Sequence, residues 1–534
     1  MKTAGTIIAP TVLTLNEANI QNNFESTISQ ADLLAGKKTK ETRPDNQQSI
    51  NRCAELLENL LTDVQTVDFD SIINPTNNPD KKVTVGEKYV VVIEKLIEIA
   101  EKRRWGVCKN SAFVYLYNGA FWQELDRDIL KQFLGRAAYL MGLPEYHTKQ
   151  TDNAEKILKQ FDYTGFQPQP ESKRILINLQ NGTLEIDGNG QHKLRDFERS
   201  DFLKYQLPFE FNPQATAPMF QTFLDEVLPD ITAQNVLAEY CGYCFIKNDF
   251  LKLEKALILY GQGANGKSVF FDVITAMFGS ENVSGYNISS LCKENGYYTA
   301  MLQNKLVNYS SEIGNSRQFN ADTFKQLCSG EKIQARLPYG KPFVISNYAR
   351  LIFNANTLPK DTEQTNAYFR RFLIIPFEVT IPPERQDKEL AKRIIKTELA
   401  GVLNWVLTGL DRVILNRNFS KCEASEKALE IYQRDSNSVL AFLLDKGYIK
   451  SVNNYKTLQE LYNGTDSYTQ YCNESGLRAC SLREFSKRLQ AVNFEVVKDR
   501  HKANGGRIVY IEIENENEID TDFENENDTD KLPF

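Results

Sequence analysis

The spacing of hydrophobic and polar positions divides the chain into segments of different character. Residues 1–85 are mostly polar and predict a loosely attached N-terminal arm. Residues 86–199 combine helical spacing with β-rich runs that turn at Asn118 and Asn181, each followed by glycine. Asn-Gly between such runs is typical of hairpins, so this part predicts an α+β domain.

The pattern changes twice more along the chain. Residues 200–250 have helical spacing and predict a helical domain. Between 251 and 430, short apolar runs alternate with helical patterns, which predicts an α/β fold with a parallel sheet. Residues 431–512 predict three helices followed by two strands, and residues 513–534 predict a disordered acidic tail.

Composition limits the class of protein. With 534 residues, 41% hydrophobic and 25% charged, the chain has the composition of a soluble globular protein with several domains. No run reaches the ~20 apolar residues of a membrane span, and no signal peptide is recognisable, so we expect a cytoplasmic protein without membrane contact.

Cysteine and histidine spacing narrows the chemistry further. In the cytoplasm the nine cysteines are expected to be reduced, and we interpret Cys241-Gly-Tyr-Cys244 as helix packing rather than as a zinc or redox site. The three histidines are far apart, which excludes HExxH metalloproteases and HxH metal sites.

The net charge of −7 is unevenly distributed. Residues 511–534 contain ten acidic residues and one lysine, a net charge of −9, so the first 510 residues carry about +2. The low overall isoelectric point therefore does not argue against nucleic-acid binding.

A glycine-rich loop carries the most specific chemical signal. The apolar run 256–260 leads into Gly261-Gln-Gly-Ala-Asn-Gly-Lys-Ser268, followed by helical spacing. Strand, loop and helix in this order are typical of a phosphate-binding loop, in which backbone N–H groups and Lys267 bind phosphate oxygens and Ser268 holds Mg²⁺. The alternative is a glycine-rich turn with an unused lysine. The candidate nucleotide-binding residues are Gly261, Gln262, Gly263, Ala264, Asn265, Gly266, Lys267, Ser268 and Val269.

Two later strands end in polar residues that suit nucleotide hydrolysis. Glu312 follows an apolar run and is a candidate to activate water and to hold Mg²⁺ through water, although Ser311 stands where an aspartate usually precedes this glutamate. Asn356 ends the next buried run and can orient a water or contact a γ-phosphate. The alternative for Glu312 is an exposed residue at a strand end.

Basic residues mark two further candidates. Residues 333–345 predict a hairpin with a basic, aromatic tip that contains Tyr339 and Lys341. Arg370 and Arg371 directly precede an apolar strand, where they are either catalytic or an ordinary charged strand edge.

Together these segments resemble the superfamily 3 helicases, most closely the phage/plasmid and poxvirus primase-helicase branch. The resemblance rests on GANGKS, Ser310-Ser-Glu312, the hairpin, the strand ending at Asn356 and the segment FRRFLIIPF, and it covers roughly residues 170–510. It implies an AAA+-like P-loop motor that uses ATP and Mg²⁺ in a ring, with a hexamer expected.

The resemblance also implies roles for individual residues. Lys267 and Glu312 are then catalytic, Asn356 is the sensor, and Arg371 best matches the arginine finger, with Arg370 as the second candidate. Single-stranded DNA in the ring pore would contact Arg336, Tyr339 and Lys341. No primase domain is recognisable, so a separate primase is expected.

The C-terminal region predicts a winged helix for duplex DNA, or alternatively a packing module with solvated basic residues. Ser481 can cap its third helix, which places Leu482, Phe485 and Leu489 on one face. The candidate DNA-binding residues of this region are Arg483, Lys487, Arg488, Lys498, Arg500, Lys502 and Arg507.

The acidic tail ends in Leu532, Pro533 and Phe534. It resembles the terminal peptide of bacterial single-stranded DNA-binding proteins, which implies docking of host replication proteins; the alternative is a solubilising tail. The sequence as a whole predicts a ring-forming DNA helicase that replicates a phage, plasmid or other mobile element. The alternative is a DNA-binding initiator or scaffold that uses nucleotide only to assemble.

Overall fold

The computed structural model describes most of the chain from residue 55 onwards, which belongs to one compact unit. The described residues are 53, 55–76, 78–167, 174–313, 319–338, 340–359, 365–477, 479–499 and 506–513.

In the N-terminal part, helices pack around a small antiparallel sheet. Its elements are α1 (Phe69–Ile73), α2 (Val85–Lys102), β1 (Gly106–Asn110), β2 (Phe113–Tyr117), β3 (Trp122–Leu125), α3 (Arg127–Leu140), α4 (Glu145–Lys149) and α5 (Thr151–Thr164). A capping box between Thr84 and Glu87 starts α2. The predicted hairpin at Asn118 is confirmed, because the Asn118 side chain accepts hydrogen bonds from the N–H groups of Ala120 and Phe121 between β2 and β3.

Packing begins earlier than the polar pattern indicates. Residues 55–61 are helical, and Leu57 and Leu60 on that segment are buried. The backbone of Val67 donates a hydrogen bond to Met141 at the end of α3. This part of the expected arm is therefore an integral layer of the fold, because a few apolar residues at helical spacing suffice to anchor a polar segment.

A second antiparallel sheet and two helices lead to the central sheet. These elements are β4 (Ile175–Leu179), β5 (Gly182–Ile186), β6 (His192–Arg195), α6 (Pro218–Val227) and α7 (Ile231–Tyr243). The predicted hairpin at Asn181 is confirmed, with Leu179 opposite Gly182. Cys241 lies on α7 and Cys244 directly follows it; both thiols are buried, and burial raises the pKa of each.

The central sheet has five parallel strands in the order β13-β7-β12-β9-β8. The strands are β7 (Ala256–Tyr260), β8 (Val283–Ser284), β9 (Val307–Ser310), β12 (Arg350–Ala355) and β13 (Phe372–Pro376). The strand interiors are buried on both faces, as expected for a sheet between helices. The predicted mixed α/β fold with a parallel sheet is confirmed.

Helices and one hairpin connect these strands. The elements are α8 (Lys267–Phe278), α9 (Ile288–Leu291), α10 (Tyr297–Ala300), α11 (Ala321–Ser329), β10 (Ile333–Ala335), β11 (Phe343–Ile345) and α12 (Asn366–Phe369). After β13 the chain forms α13 (Leu390–Thr397), α14 (Leu399–Asn416) and α15 (Glu423–Ser436).

Helices α6 and α7, which precede the central sheet in the chain, pack into the same apolar core as the sheet. One continuous apolar cluster contains side chains of β4, β5, α6, α7, α8 and α14. The backbones of α7 and α14 approach so closely that a Cβ on Gly242 or Gly409 would lie under 3.0 Å from atoms of the facing helix. The segments 200–250 and 251–430 therefore pack as one body in the described part of the chain.

The C-terminal module has four helices and a three-stranded antiparallel sheet of order β14-β16-β15. Its elements are α16 (Ser438–Asp445), β14 (Tyr448–Thr457), α17 (Leu458–Asn463), α18 (Tyr468–Glu474), α19 (Leu482–Ala491), β15 (Val496–Lys498) and β16 (Arg507–Ile513). Ser481 caps α19, and Phe485 and Leu489 are buried, as predicted. Strand β14 was not predicted, because it is mostly exposed and polar. One of the four helices was not predicted either. None of the helices in the described ranges combines the length and apolar content needed to cross a bilayer.

Candidate functional site

The glycine-rich loop, Gly261–Gly266, leaves the carboxyl end of β7 and enters the N-terminus of α8. Gly263 and Gly266 have φ of 110° and 82°, a region that favours glycine. A Cβ on Gly261 would lie 2.2 Å from Asn265 Nδ2, and a Cβ on Gly266 would lie 2.8 Å from Val227 of α6. The glycines therefore allow a tight loop beneath which neighbouring groups pack closely.

Lys267 is folded into this loop. Its ammonium donates hydrogen bonds to Gly261 O at 2.6 Å and to Asn265 Oδ1 at 2.9 Å. Asn265 in turn donates to Phe377 O just after β13. Burial lowers the pKa of Lys267. The ammonium of Lys267 is buried and, among the described residues, is hydrogen-bonded only to neutral oxygens. An anion would therefore be a stronger partner for it than these oxygens are.

The loop opens onto a cleft of about 850 Å³ at the carboxyl edge of the parallel sheet, where α/β proteins usually bind their ligands. Predicted residues line it, and the structure brings them together from β7, β9 and β12. They are Gly263, Ala264, Asn265, Gly266, Lys267, Ser268, Val269, Glu312 and Asn356. The other two predicted residues of the loop do not line the cleft among the described residues: Gly261 is buried, and Gln262 is exposed.

Several groups in the cleft were not predicted from the sequence, among them Asp272, Asn354, Phe223 and Arg385. Asp272 lies four residues after Ser268 on α8, and therefore on the same helix face. It retains an open surface towards the cleft, yet burial raises the pKa of its carboxyl. Asn354 lies on β12, and Asn356 directly follows the end of that strand. Their spacing of two positions in extended chain places both side chains on the same side of the sheet. The other two groups, Phe223 of α6 and Arg385 after β13, have no local signal, because only the tertiary fold brings them to the loop.

The arginine pair lies at the opposite edge of the sheet. Phe372, the first residue of β13, pairs with Ala256 at the start of β7, about 15 Å along the strands from the loop. The Arg371 side chain is 9% exposed and donates to Ser329 Oγ at 3.1 Å and to Ala367 O. The Arg370 side chain is 59% exposed and lies 3.5 Å from Glu254. Neither arginine contacts the cleft of its own chain.

The hairpin and the C-terminal module hold the other predicted basic residues. Lys341 is exposed, and Arg336 donates to Gly340 O at 3.0 Å; Tyr339 lies outside the described residues. Arg483 of α19 and Arg507 of β16 line one shallow hollow of about 580 Å³.

The other predicted DNA-binding residues of the C-terminal module differ in exposure and in ion pairing. Lys487 and Lys498 are exposed, whereas Arg488 lies 3.3 Å from Glu484. The predicted residues Arg500, Lys502, Leu532, Pro533 and Phe534 lie outside the described residues.

Fold and site together define an α/β protein whose glycine-rich loop and helix N-terminus face a polar cleft. Two family models match parts of the chain. Residues 94–229 match the model described as D5 N terminal like, and residues 259–371 match a family of unknown function, DUF5906. The first matched segment precedes the glycine-rich loop, and the second contains it.

Two solved structures of one protein are similar over most of their length. The apo structure of the NrS-1 C-terminal region is 13% identical, with a TM-score of 0.42, over 80% of this chain and 99% of that one. An A form apo structure of the same region is 12% identical, with a TM-score of 0.42, over 78% and 98%. Similarity at this level assigns no role to any residue.

Proposed function

We propose that this chain is an ATP-dependent, ring-forming superfamily 3 DNA helicase that replicates a phage, plasmid or other mobile element in a bacterial cytoplasm. The observation that carries the proposal is the single cleft that gathers Lys267, Ser268, Glu312 and Asn356 around a glycine-rich loop. Each of these groups has a distinct use in nucleotide hydrolysis.

Nucleotide phosphates bind at the loop and the N-terminus of α8. The first residues of α8 line the cleft. The backbone N–H groups of a first helical turn have no partner within the helix, and the helix dipole favours negative charge there. Lys267 exchanges Gly261 O and Asn265 Oδ1 for phosphate oxygens, which restores a full countercharge to its ammonium. Asn265 keeps its bond to Phe377 O and so holds the loop against β13.

The cleft also has the oxygen donors that Mg²⁺ prefers. Ser268 would hold the ion directly, and Glu312 would hold it through water. We propose Asp272 as the second carboxylate, since it lines the same cleft and Ser311 lacks one. When bound, Mg²⁺ neutralises phosphate charge and orients the terminal phosphate.

Glu312 and Asn356 act on the attacking water. Glu312 accepts its proton, and Asn356 orients it by hydrogen bonding. Both lie at the ends of parallel strands, which fixes their backbones against the sheet. The Ser310 hydroxyl donates a hydrogen bond of 2.8 Å to Glu312 O and so steadies the strand end.

The finger that completes the site comes from a neighbouring subunit. Because both arginines lie across the sheet from their own loop, either one serves only in trans, which requires a ring. The sequence favours Arg371, but its guanidinium already donates hydrogen bonds to Ser329 Oγ and Ala367 O. The exposed Arg370 is the better candidate, and Arg371 fixes the segment that presents it.

DNA passes over the exposed basic groups. In this proposal Lys341, Arg336 and Tyr339 at the hairpin follow a single strand in the pore, and a hexamer is the expected ring. The hollow between Arg483 and Arg507 binds duplex backbone, in the manner of a winged helix. Primers come from a separate primase.

The C-terminal Leu532, Pro533 and Phe534 dock host replication proteins. Pull-down of such partners with the full chain and with a chain lacking these three residues tests this role. Binding that survives the deletion would refute it and leave the tail as a solubilising segment.

A second function, a nucleotide-gated replication initiator without processive unwinding, is favoured by one observation. Ser311 lines the cleft where a carboxylate would strengthen the hold on Mg²⁺. A protein that binds nucleotide to assemble needs no rapid hydrolysis.

The test is ATP turnover and strand displacement on a forked duplex, with the assembled mass measured in parallel. Wild type is expected to show DNA-stimulated turnover and unwinding. Lys267→Ala is expected to lose nucleotide binding, and Glu312→Gln to bind nucleotide but lose turnover. Assembly and DNA binding without unwinding in wild type would instead support the initiator.

Mixed rings separate the two arginines. Arg370→Ala subunits, mixed with Glu312→Gln subunits, are expected to recover turnover at interfaces where an intact Arg370 meets an intact Glu312. If only Arg371→Ala shows this complementation, the finger is Arg371.

A further inference from the structure

A second cavity, of about 160 Å³, lies at the amino edge of the central sheet. Its walls come from distant parts of the chain: the end of β1, the segment before α6, the end of α7, the residues before β9, and the base of the β10–β11 hairpin. The cleft of the proposed nucleotide site lies at the opposite, carboxyl edge. The two spaces share no lining residue.

The cavity is lined by positive charge. Its five cationic residues are Arg174, Lys204, Lys247, Lys305 and Arg350. No carboxylate belongs to the lining formed by the described residues. Arg174 is mostly exposed and forms an ion pair with Glu185. Charged groups inside proteins are usually paired, so the presence of Lys204 and Lys247 beside one small space needs an explanation.

Among the described residues, Lys204 and Lys247 are the clearest examples of cations in this cavity without a carboxylate partner. Lys204 is half-buried, with its ammonium 3.1 Å from Tyr115 OH and 4.4 Å from the centre of the Tyr115 ring. Within the described ranges, neither lysine has a carboxylate at ion-pair distance. Burial, with a smaller contribution from the nearby Lys247 and against the opposing effect of Glu124, lowers the pKa of Lys204 to about 8. Burial also lowers the pKa of Lys247.

Arg350 gives the cavity a rigid cationic wall. Its guanidinium is buried, donates to Ile246 O at 2.9 Å, and stacks 4.1 Å from the centre of the Tyr243 ring. Amide side chains at Asn110, Asn304 and Asn347 add neutral hydrogen-bonding groups to the walls.

We propose that this cavity is a binding site for a phosphate group, separate from the nucleotide cleft, with Lys204 and Lys247 as its principal ligands. A phosphate dianion supplies the countercharge that the lining lacks and accepts hydrogen bonds from both ammonium groups. The inference depends on the cavity alone and stands whether or not the chain is a helicase.

Size limits the form in which the phosphate arrives. A cavity of roughly 150 Å³ takes a molecule the size of benzene. The space therefore suits free phosphate, or the terminal phosphate of a strand with part of its sugar, but not a continuous strand. The hairpin base that lines the cavity leads directly to the predicted DNA-contacting tip, so a strand end and free phosphate are the two sources to distinguish.

The experiment follows the thermal unfolding midpoint of the full chain as inorganic phosphate is added at constant ionic strength. The parent is Lys267→Ala, which removes the response of the glycine-rich loop. A saturating rise of the midpoint is expected in this parent and is expected to disappear when Lys204→Gln and Lys247→Gln are added. The matched control is Lys156→Gln, at an exposed lysine on α5, which should keep the full rise.

The double substitution has a second expected signature. Without phosphate, its midpoint should equal or exceed that of the parent, because two partly buried charges that lack a carboxylate at ion-pair distance within the described chain have been removed. A phosphate response equal to that of the parent would overturn the site. This outcome is independent of the test for helicase activity.

Competition identifies the source of the phosphate. Displacement of inorganic phosphate by 5′-phosphorylated oligothymidylate, but not by the 5′-hydroxyl form, would assign a strand end. Displacement by neither form would assign free phosphate. Equal displacement by both would contradict a site restricted to a terminal phosphate.

Discussion

The two edges of the central sheet present opposite kinds of polar space. The cleft at the carboxyl edge mixes cations such as Lys267 and Arg385 with carboxylates such as Asp272 and Glu312. Among the described residues, the charged side chains that line the cavity at the amino edge are all cations. A mixed lining suits a phosphate accompanied by a metal ion, whereas a purely cationic lining suits a bare anion. The charges of the lining residues therefore distinguish the two phosphate sites that we propose on one sheet.

The largest expected effect tests the carboxylate in the mixed cleft. Glu312→Gln should lower ATP turnover by about 100-fold or more, because the amide cannot accept the proton of the attacking water. Nucleotide affinity should change little. Steady-state turnover and equilibrium binding measure the two quantities. The control is Glu294→Gln at an exposed site, and an equal loss there would remove Glu312 from the mechanism.

The second prediction concerns the structural roles of Arg370 and Arg371 at the amino edge of the sheet. Arg371→Ala should lower the free energy of unfolding by roughly 2–4 kcal/mol, because it leaves Ser329 and buried carbonyls without their donor. Arg370→Ala should change it by less than about 0.5 kcal/mol, since its side chain is exposed. Urea denaturation compares the two. Equal destabilisation would show that Arg371 is not the structural member of the pair.

Loop geometry gives a smaller effect at the carboxyl edge. Gly266→Ala places a methyl group 2.8 Å from Val227 at a φ of 82° and should destabilise the fold by roughly 1–3 kcal/mol. Gly188→Ala, where a Cβ would meet no atom within 4 Å, should be close to neutral. If the two variants unfold at the same urea concentration, the loop is not under this constraint.

The pH dependence of Lys204 gives the smallest effect. Its pKa of about 8 lies below the ordinary 10.5, so the unfolded chain binds the extra proton between these values and stability rises with pH across this window. The stability gained in Lys204→Gln, on the order of 1–3 kcal/mol below pH 8, should therefore shrink towards zero by pH 10.5. The groups that act on this lysine are Lys247, Glu124, Cys108 and Tyr115.

Urea denaturation of both proteins at pH 7 and pH 10 measures this change. A gain that is constant with pH would show that the Lys204 ammonium is not strained by burial.

Local patterns predicted much of the fold. Both Asn-Gly hairpins, the bounds of β7, the helix after the loop and the Ser481 cap follow from neighbouring residues and are confirmed. Strand β14 escaped prediction because it has a mostly exposed, polar surface without alternation. The packing of residues 55–76 and the merging of the helices before β7 into the sheet core depend on contacts between distant segments.

The sequence by itself determined the glycine-rich loop and the polar strand ends, because hydrogen bonds and φ values of adjacent residues define them. Only the tertiary structure decided which groups meet. It turned Asp272 towards the cleft, buried Arg371 while leaving Arg370 exposed, and brought Lys204, Lys247 and Arg350 around one cavity. Lys204, Lys247 and Arg350 are separated by tens of positions in the chain, so no local periodicity indicates that they meet after folding.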